Sequence, residues 1–310
     1  AAITKGKVYL LTDSRYIEQA QHECSSCRII KRTASMAEAV AKLVKKLKSV
    51  QTVNVETCTS LADFEALRKN VEARVKVAAD IIESLRITKD SRVIHPLTSA
   101  ARIAGQALRQ SLRHIKRGIT ENELAGRLDF EIRKLGARNS FETIAAFGAN
   151  ASRPHHQPGI RKLKKNDTIL IDFGIRYKNY CCDLTRCFVV GRPIALYQKA
   201  YKAVWEAQAA AIKMVKAGVE IRQVDAAARD VIRKHNLPVY GHGTGHGLGL
   251  EVHEYPILSA DGKGKLRAGM VFTIEPAVYI PGKLGVRIED NIVVTESGCR
   301  ILSRNLPSKV

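Results

Sequence analysis

Apolar and polar positions run along this chain in two rhythms, one with the period of a helix and one that alternates. From Lys7, KVYLLTDSRYIEQA reads as a strand running into a helix, and Met36 to Val50 carries Val40, Leu43, Val44 and Leu47 at helical spacing with lysines opposite. A further apolar stretch at Val53 and a long charged helix from Leu61 to about Leu85 complete a small α/β unit. The texture then changes: RITKDSRVIHPLTSAA is a polar connection into another helix, which places a domain boundary near Ser84 and divides the chain into residues 1–84 and 85–310.

The second region contains an internal echo. Lys116-Arg117-Gly118-Ile119-Thr120, followed by Ile132-Arg133-Lys134, recurs as Lys216-Ala217-Gly218-Val219-Glu220, followed by Ile232-Arg233-Lys234. In the first copy Thr120 and Glu123 make a capping box ahead of Leu124, Leu128, Ile132 and Leu135; in the second, Val219 to Lys234 repeats the period. Each copy reads helix, glycine turn, helix, then strand-rich sequence. Two related α/β halves follow, with a site where they meet.

The strand-rich stretches carry acids where apolar residues are expected. TILIDFGIRYKNYCCDLTRCFVV has the pattern of a β-hairpin, with Asp172 and Asp183 symmetric about the Tyr177/Lys178 bond. A regular register would set them opposite one another, with Cβ atoms about 5 Å apart. Two buried, ionised carboxylates so placed repel unless a cation lies between them. The device recurs in VFTIEPAVYIPGKLGVRIEDNIVV, where Glu275 and Glu289 are symmetric about Gly282 in the turn-forming PGKLG. Between the two hairpins lies YGHGTGHGLGLEVHEYP, with His242, His246 and His253 among five glycines. Such a run packs poorly as core and costs much chain entropy to order, so it reads either as a mobile loop or as backbone brought close to a ligand. Oxygen-rich ligation with a single nitrogen suits hard or borderline divalent ions, manganese or cobalt with zinc as an alternate. Four carboxylates over-neutralise one such ion, whereas two ions balance them, so the arithmetic favours a dinuclear site.

Composition narrows the field. The formal charge is +21, from 51 basic and 30 acidic residues. The basic clusters at Lys42, Lys45, Lys46, Lys48, at Arg109, Arg113, Lys116, Arg117 and at Arg161, Lys162, Lys164, Lys165 are not interleaved with stacking aromatics, which argues against specific nucleic-acid recognition. No apolar run approaches the roughly 18 residues a membrane helix needs, and KVYLL is too short for a signal peptide, so a soluble cytoplasmic protein is expected. Seven cysteines, an odd number, fit a reducing compartment. The CxxC of Cys24 and Cys27, with His22 near, lacks a second pair and reads as ordinary thiols rather than zinc or redox chemistry. A cysteine-protease reading with Cys181 or Cys182 and His155 leaves the four acids unexplained.

IDFG, the Asp of CCDLTR, GTGHGLG, TIEPA and RIEDN occur in an order and at spacings that resemble the creatinase/aminopeptidase-P family of pita-bread metallopeptidases. The likeness covers about residues 85 to 310, and YLLTDSRYIEQA resembles the end of that family's smaller N-terminal domain, shortened at its start. The fold this implies is α+β: a pita-bread catalytic domain with pseudo-two-fold α/β halves, preceded by a partial N-terminal α/β domain. Carried over, Asp172 chelates one ion, Asp183 and Glu289 bridge both, and His246 with Glu275 completes the other, for two divalent ions, manganese first. The resemblance further implies Glu275 as acceptor of the attacking water's proton, His155 in proton transfer or substrate placement, and His253 steadying the tetrahedral intermediate. His242 and Arg287 would lie beside the pocket for the proline after the scissile bond. His156, next to His155, and a simple Arg287–Glu289 pair remain open alternatives. Cys182 stands where many relatives carry Ser, and Cys187 stands near a common Thr. The implied activity is that of an Xaa-Pro aminopeptidase, acting on peptides with proline at the second position and working as a homodimer. Prolidase, creatinase, methionine aminopeptidase and a metal-free binding module are the alternatives.

Overall fold

Strand and helix alternate through both units of the computed structural model, Ala1–Ile82 and Glu83–Val310, in which residues 1–304 and 306–307 are described. In the first unit, strands Val8–Thr12 and Arg28–Lys31 pair in parallel across helix Ile17–Glu23, and Ala2–Ile3 adds an antiparallel edge. Helix Met36–Leu47 starts at the Ser35 cap and presses Ala39 and Leu43 onto Tyr9 and Leu11, a small core. A second parallel pair, Thr52–Val55 with Arg74–Val77, encloses helix Leu61–Asn70. The expected long helix from Leu61 to Leu85 is therefore wrong: it stops at Asn70 and resumes only as Ile81–Arg86. The reason is legible in hindsight. Val71, Val75 and Val77 alternate with Glu72, Arg74 and Lys76, a period-two, β-branched run that suits a ladder better than a helix. Cys24 and Cys27 are free and half-buried.

The second unit is built twice over. Helices Ser91–Leu112 and Glu121–Lys134 pack together in the first half, and Ala195–Met214 and Ile221–Lys234 in the second. Each pair turns at a left-handed glycine, Gly118 at φ 90° and Gly218 at φ 89°, a conformation that disfavours a side chain. Each corner is pinned identically: Gly118 N donates to Leu163 O and Leu163 N to Ile119 O, while Gly218 N donates to Leu266 O and Leu266 N to Val219 O. Capping boxes Thr120/Glu123 and Glu220/Gln223 then start the second helix of each pair.

Between the helix pairs lie the strands. Ile144–Phe147, Thr168–Phe173 and Leu184–Val189 form one sheet, and Gly245–Gly247, Glu254–Leu258, Val271–Ile274, Asp290–Val294 and Cys299–Ile301 another. Their alternate residues face different cores. Ile169, Ile171, Val271 and Val293 pack with Leu97, Leu128 and Ile132 of the first helix pair, whereas Leu170, Phe272 and Ile292 pack with Ala207, Val224 and Ile232 of the second. Strands covered on both faces read as continuous apolar runs, so an acid within one is a local anomaly with no solvated face to turn to. No helix among the described residues is long and apolar enough to cross a membrane.

Candidate metal centre

The first hairpin places its acids differently from the simplest register. Tyr177 pairs with Tyr180 across a two-residue tip in which Lys178 and Asn179 have φ of 47° and 69°, so the centre of symmetry is Lys178/Asn179. Asp172 consequently faces Thr185, not Asp183. The acids still share a face, because Asp183 lies two residues from Thr185 on the same strand direction; they meet diagonally. The second hairpin keeps its expected register. Ile274 pairs with Asp290 and Ala277 with Arg287, so Glu275 falls opposite Glu289 in the gap between the two ladders.

The four acids converge on one place with His246. Candidate ligand atoms of Asp172, Asp183 and Glu289 lie within 4.8 Å of one another, as do those of His246, Glu275 and Glu289, and those of Asp183, His246 and His253. Each set shares a member with the next. One oxygen of Asp172 accepts from the Arg287 guanidinium, and Glu289 Oε2 accepts from Thr185 Oγ1 at 2.7 Å. The other oxygens, Asp172 Oδ1 and Glu289 Oε1, together with Asp183 Oδ1, are buried with no hydrogen-bond partner. Buried bare anions of this kind are costly, and a divalent cation satisfies them, so the donor set fits a metal centre. The imidazole is prepared in the same sense. His246 Nδ1 lies 3.1 Å from Gly247 O, which fixes the proton there and leaves Nε2 as a lone pair, 3.5 Å from Asp183 Oδ2 and 3.4 Å from Glu275 Oε1. Thr273 Oγ1 accepts from His246 N and donates to Glu275 Oε1, tying the two candidate ligands to one hydroxyl.

Electrostatics without a cation are strained. Burial, then the neighbouring Asp172 and Glu275, pushes the Asp183 carboxyl well above its usual range, and burial with Asp183 and Glu275 does the same to Glu289. Burial works against the Arg287 cation, but Tyr279 and the surrounding carboxylates outweigh it and hold it charged. The sign for stability follows. An acid whose folded pKa is raised contributes stability that is complete below its unfolded value, about 4, and is lost as pH rises through the folded value. The metal-free protein is therefore expected to melt higher at pH 5.5 than at pH 8, and saturating divalent metal to reverse that order. Each kcal/mol moves the midpoint by about 2–4 °C in a unit the size of Glu83–Val310, well within calorimetric reach.

The remaining predicted residues are brought to the same region in different states. His155 is exposed and near enough to His253 to act on its charge, whereas His156 is buried, with Nε2 at 2.9 Å from Glu121 and Nδ1 at 2.9 Å from Arg153. Of the two, only His155 is free to meet a ligand. The exposed His253 ring stands edge-on to His246 at 4.3 Å, its pKa lowered by partial burial and by that neighbour. His242 Nδ1 lies 2.7 Å from Gly243 O and Nε2 lies 3.1 Å from Tyr279 Oη. Burial lowers its pKa as well. Arg287 is 3% exposed; it pairs with Asp172 rather than Glu289, and also donates to Tyr279 Oη and Thr185 Oγ1. Its guanidinium holds the Asp172 carboxylate from behind.

Residues outside the sequence reading complete the frame. Thr185 joins Asp172's strand partner position to Glu289, and its place two residues after Asp183 was a usable period-two signal. Arg229 donates to the carbonyls of Tyr240 and His242, with Asp225 accepting from Arg229 and from Thr244 N and Oγ1. The i,i+4 spacing of Asp225 and Arg229 was a usable pairing signal, but nothing local marked the pair as support for the histidine segment.

Comparison with known proteins gives a consistent result. The model of metallopeptidase family M24 matches residues 96–296, and that of the creatinase/prolidase N-terminal domain matches residues 1–88. An uncharacterized peptidase, YqhT of Bacillus subtilis, is 38% identical, the match covering 98% of this chain and 87% of that protein. Among solved structures, an Xaa-Pro dipeptidase from Bacillus anthracis is similar at 36% identity and a TM-score of 0.93, covering 97% of this chain and 86% of that one. An X-Pro aminopeptidase from Thermotoga maritima is similar at 35% identity and 0.91, covering 99% and 89%.

Proposed function

This chain belongs to metallopeptidase family M24, and on that premise we propose that it hydrolyses the bond between an N-terminal residue and a following proline, releasing the first residue from peptides of three residues or more. The observation that carries the reading is the set of bare, buried carboxylate oxygens around His246 Nε2. Asp172, Asp183, His246, Glu275 and Glu289 would hold two divalent ions, with Glu289 and Asp183 shared, manganese first and cobalt or zinc as alternates. Bound ions supply Lewis acidity toward water and toward the scissile carbonyl.

The chain's own groups do the rest. Glu275, only partly buried and bonded through one oxygen to Thr273, has a free oxygen with which to accept a proton from water. The imidazoles of His155 and His253 are exposed and would meet an entering peptide, able to donate to a developing oxyanion or leaving nitrogen. His242 lies by Tyr279 on the side where the proline ring would sit. Arg287 holds Asp172 in place, so its contribution to substrate is indirect.

A second reading, a dipeptidase that cleaves Xaa-Pro and ignores longer peptides, is favoured by the similarity to the Bacillus anthracis Xaa-Pro dipeptidase, while the Thermotoga maritima X-Pro aminopeptidase favours the first. Assaying a dipeptide Xaa-Pro and a tripeptide Xaa-Pro-Xaa side by side, with added manganese and after chelation, separates them. Release of Xaa from the tripeptide, lost on chelation and restored by metal, is the expected result. Cleavage of the dipeptide alone selects the second reading, and full activity after exhaustive chelation defeats both.

A further inference from the structure

The exposed imidazole of His253 has no hydrogen-bond partner among the described residues; its only ring contact is the edge of His246. Its orientation is therefore inherited from its backbone. That backbone, Leu248 to His253, is a run of bends outside any ladder. Leu248 N donating to Val271 O and Cys181 N donating to Gly249 O fasten its start, and one carboxylate closes its far end. Glu254, whose side chain is 7% exposed, accepts from Glu251 N at 3.1 Å on Oε1 and so draws the loop back onto itself. Gly249 sits against the same carboxylate, where a Cβ would lie 2.5 Å from both oxygens.

Glu254 is in turn anchored to structure that does not belong to the loop. Its Oε1 also accepts from the Arg86 guanidinium and its Oε2 from Lys89 Nζ at 3.1 Å, and the Lys89 side chain is 3% exposed. Lys89 N donates to Gly269 O, at the start of the strand that leads to Glu275, and Asp90 caps helix Ser91–Leu112. A buried carboxylate facing two cations and a loop amide is thus a clamp between the His253 loop and the base of the helix layer.

We propose that Glu254, held by Arg86 and Lys89, is a positioning residue that aims His253 at the metal centre. This rests on the reading of His253 given above, and it assigns the Arg86–Lys89–Glu254 triad a part in turnover despite its making no contact with the ligand cluster. The test is a double-mutant cycle in the metal-loaded enzyme, with Glu254→Gln, His253→Ala and the pair, scored by kcat and KM separately. Gln keeps the shape and one acceptor oxygen, enough for Glu251 N, but sets an NH2 where Lys89 Nζ donates; Glu254→Asp, which keeps both acceptor oxygens, serves as the second variant should Gln unfold.

Glu254→Gln is expected to lower kcat about tenfold or more with KM within about twofold, and to cost little further in the His253→Ala background. Equal losses in both backgrounds overturn the proposal, as does a Glu254→Gln enzyme with undiminished kcat. A readout without turnover separates this from failure of the functional reading. In protein carrying labelled histidine, the ring resonance of His253 is expected to move or broaden in Glu254→Gln while that of His242 stays. An unmoved His253 resonance defeats the proposal whatever the substrate proves to be.

Discussion

Replacing Glu289 by Gln is expected to reduce kcat/KM by about 10³ or more, some 4 kcal/mol of transition-state stabilisation, while making the metal-free chain more stable. Both halves come from one position. Glu289 is 2% exposed, carries a bare buried oxygen, and belongs to two of the three ligand sets. Its carboxyl is pushed up by burial and by Asp183, so ionising it in the metal-free fold works against folding. Gln keeps the shape and still accepts from Thr185 Oγ1, and its amide can donate to an oxygen now orphaned on a neighbouring acid. Removing an uncompensated buried charge in this way is worth about 1–3 kcal/mol. On the proposed reading the loaded enzyme loses a shared anionic ligand, so metal is expected no longer to raise the melting midpoint, whereas in the parent chain metal at about 100 times its dissociation constant is expected to add roughly 2.7 kcal/mol. Calorimetry with and without chelator, beside a peptide assay and a metal titration, reads all three. Full activity with unchanged metal stoichiometry would remove Glu289 from the centre. Lower stability of the metal-free variant would make Glu289 a structural group and not a ligand.

How much of this was legible beforehand differs by level. Acids inside or at the ends of continuous apolar runs stand out because such runs give them no reason to be there, and Asp172, Asp183, Glu275 and Glu289 were visible for that cause. The second hairpin's register could be read from its PGKLG turn. The first could not, because the tip had to be chosen between Tyr177/Lys178 and Lys178/Asn179, and only the left-handed backbone of Lys178 and Asn179 decides it. The helix expected through Val71 to Val77 failed where charged residues at every second position satisfied both periods, and the parallel pairing with Thr52–Val55 won. The support beneath the histidines was not legible at all. Glu121, Asp225 and Glu254 each fasten the backbone of one histidine-bearing segment through contacts with residues distant in the chain. A buried carboxylate on an amphipathic helix looks like any other surface acid until its partners are known.

Gly245→Ala is expected to cost about 1–3 kcal/mol in stability and about 10² in activity, although it adds one methyl group to a segment already rich in small residues. The run around His246 was open to two readings, a flexible loop or close backbone approach, and the substitution separates them. A Cβ at Gly245 would lie 1.9 Å from Thr273 O and 2.7 Å from Thr273 C, backbone of the strand that ends at Ile274, next to Glu275. Gly247 abuts the other neighbour, where a Cβ would lie 2.1 Å from Tyr255 O, two residues beyond His253. His246 is thus threaded between two strands that approach more closely than any side chain allows, and the methyl group must push one away. The contacts that straddle the pinch are those that set the candidate ligands: His246 N to Thr273 Oγ1 at 3.1 Å and Glu275 N to Thr244 O at 2.8 Å. Gly241→Ala is the matched control. It lies in the same run, yet a Cβ there meets nothing within 4 Å and its φ is not left-handed. It should keep its activity and gain about 0.4–1 kcal/mol from the lower entropy of the unfolded chain. Denaturant midpoints and peptide turnover for the two variants give the answer: divergent outcomes place the value of these glycines in strand approach at His246, and equal losses would place it in flexibility of the whole run.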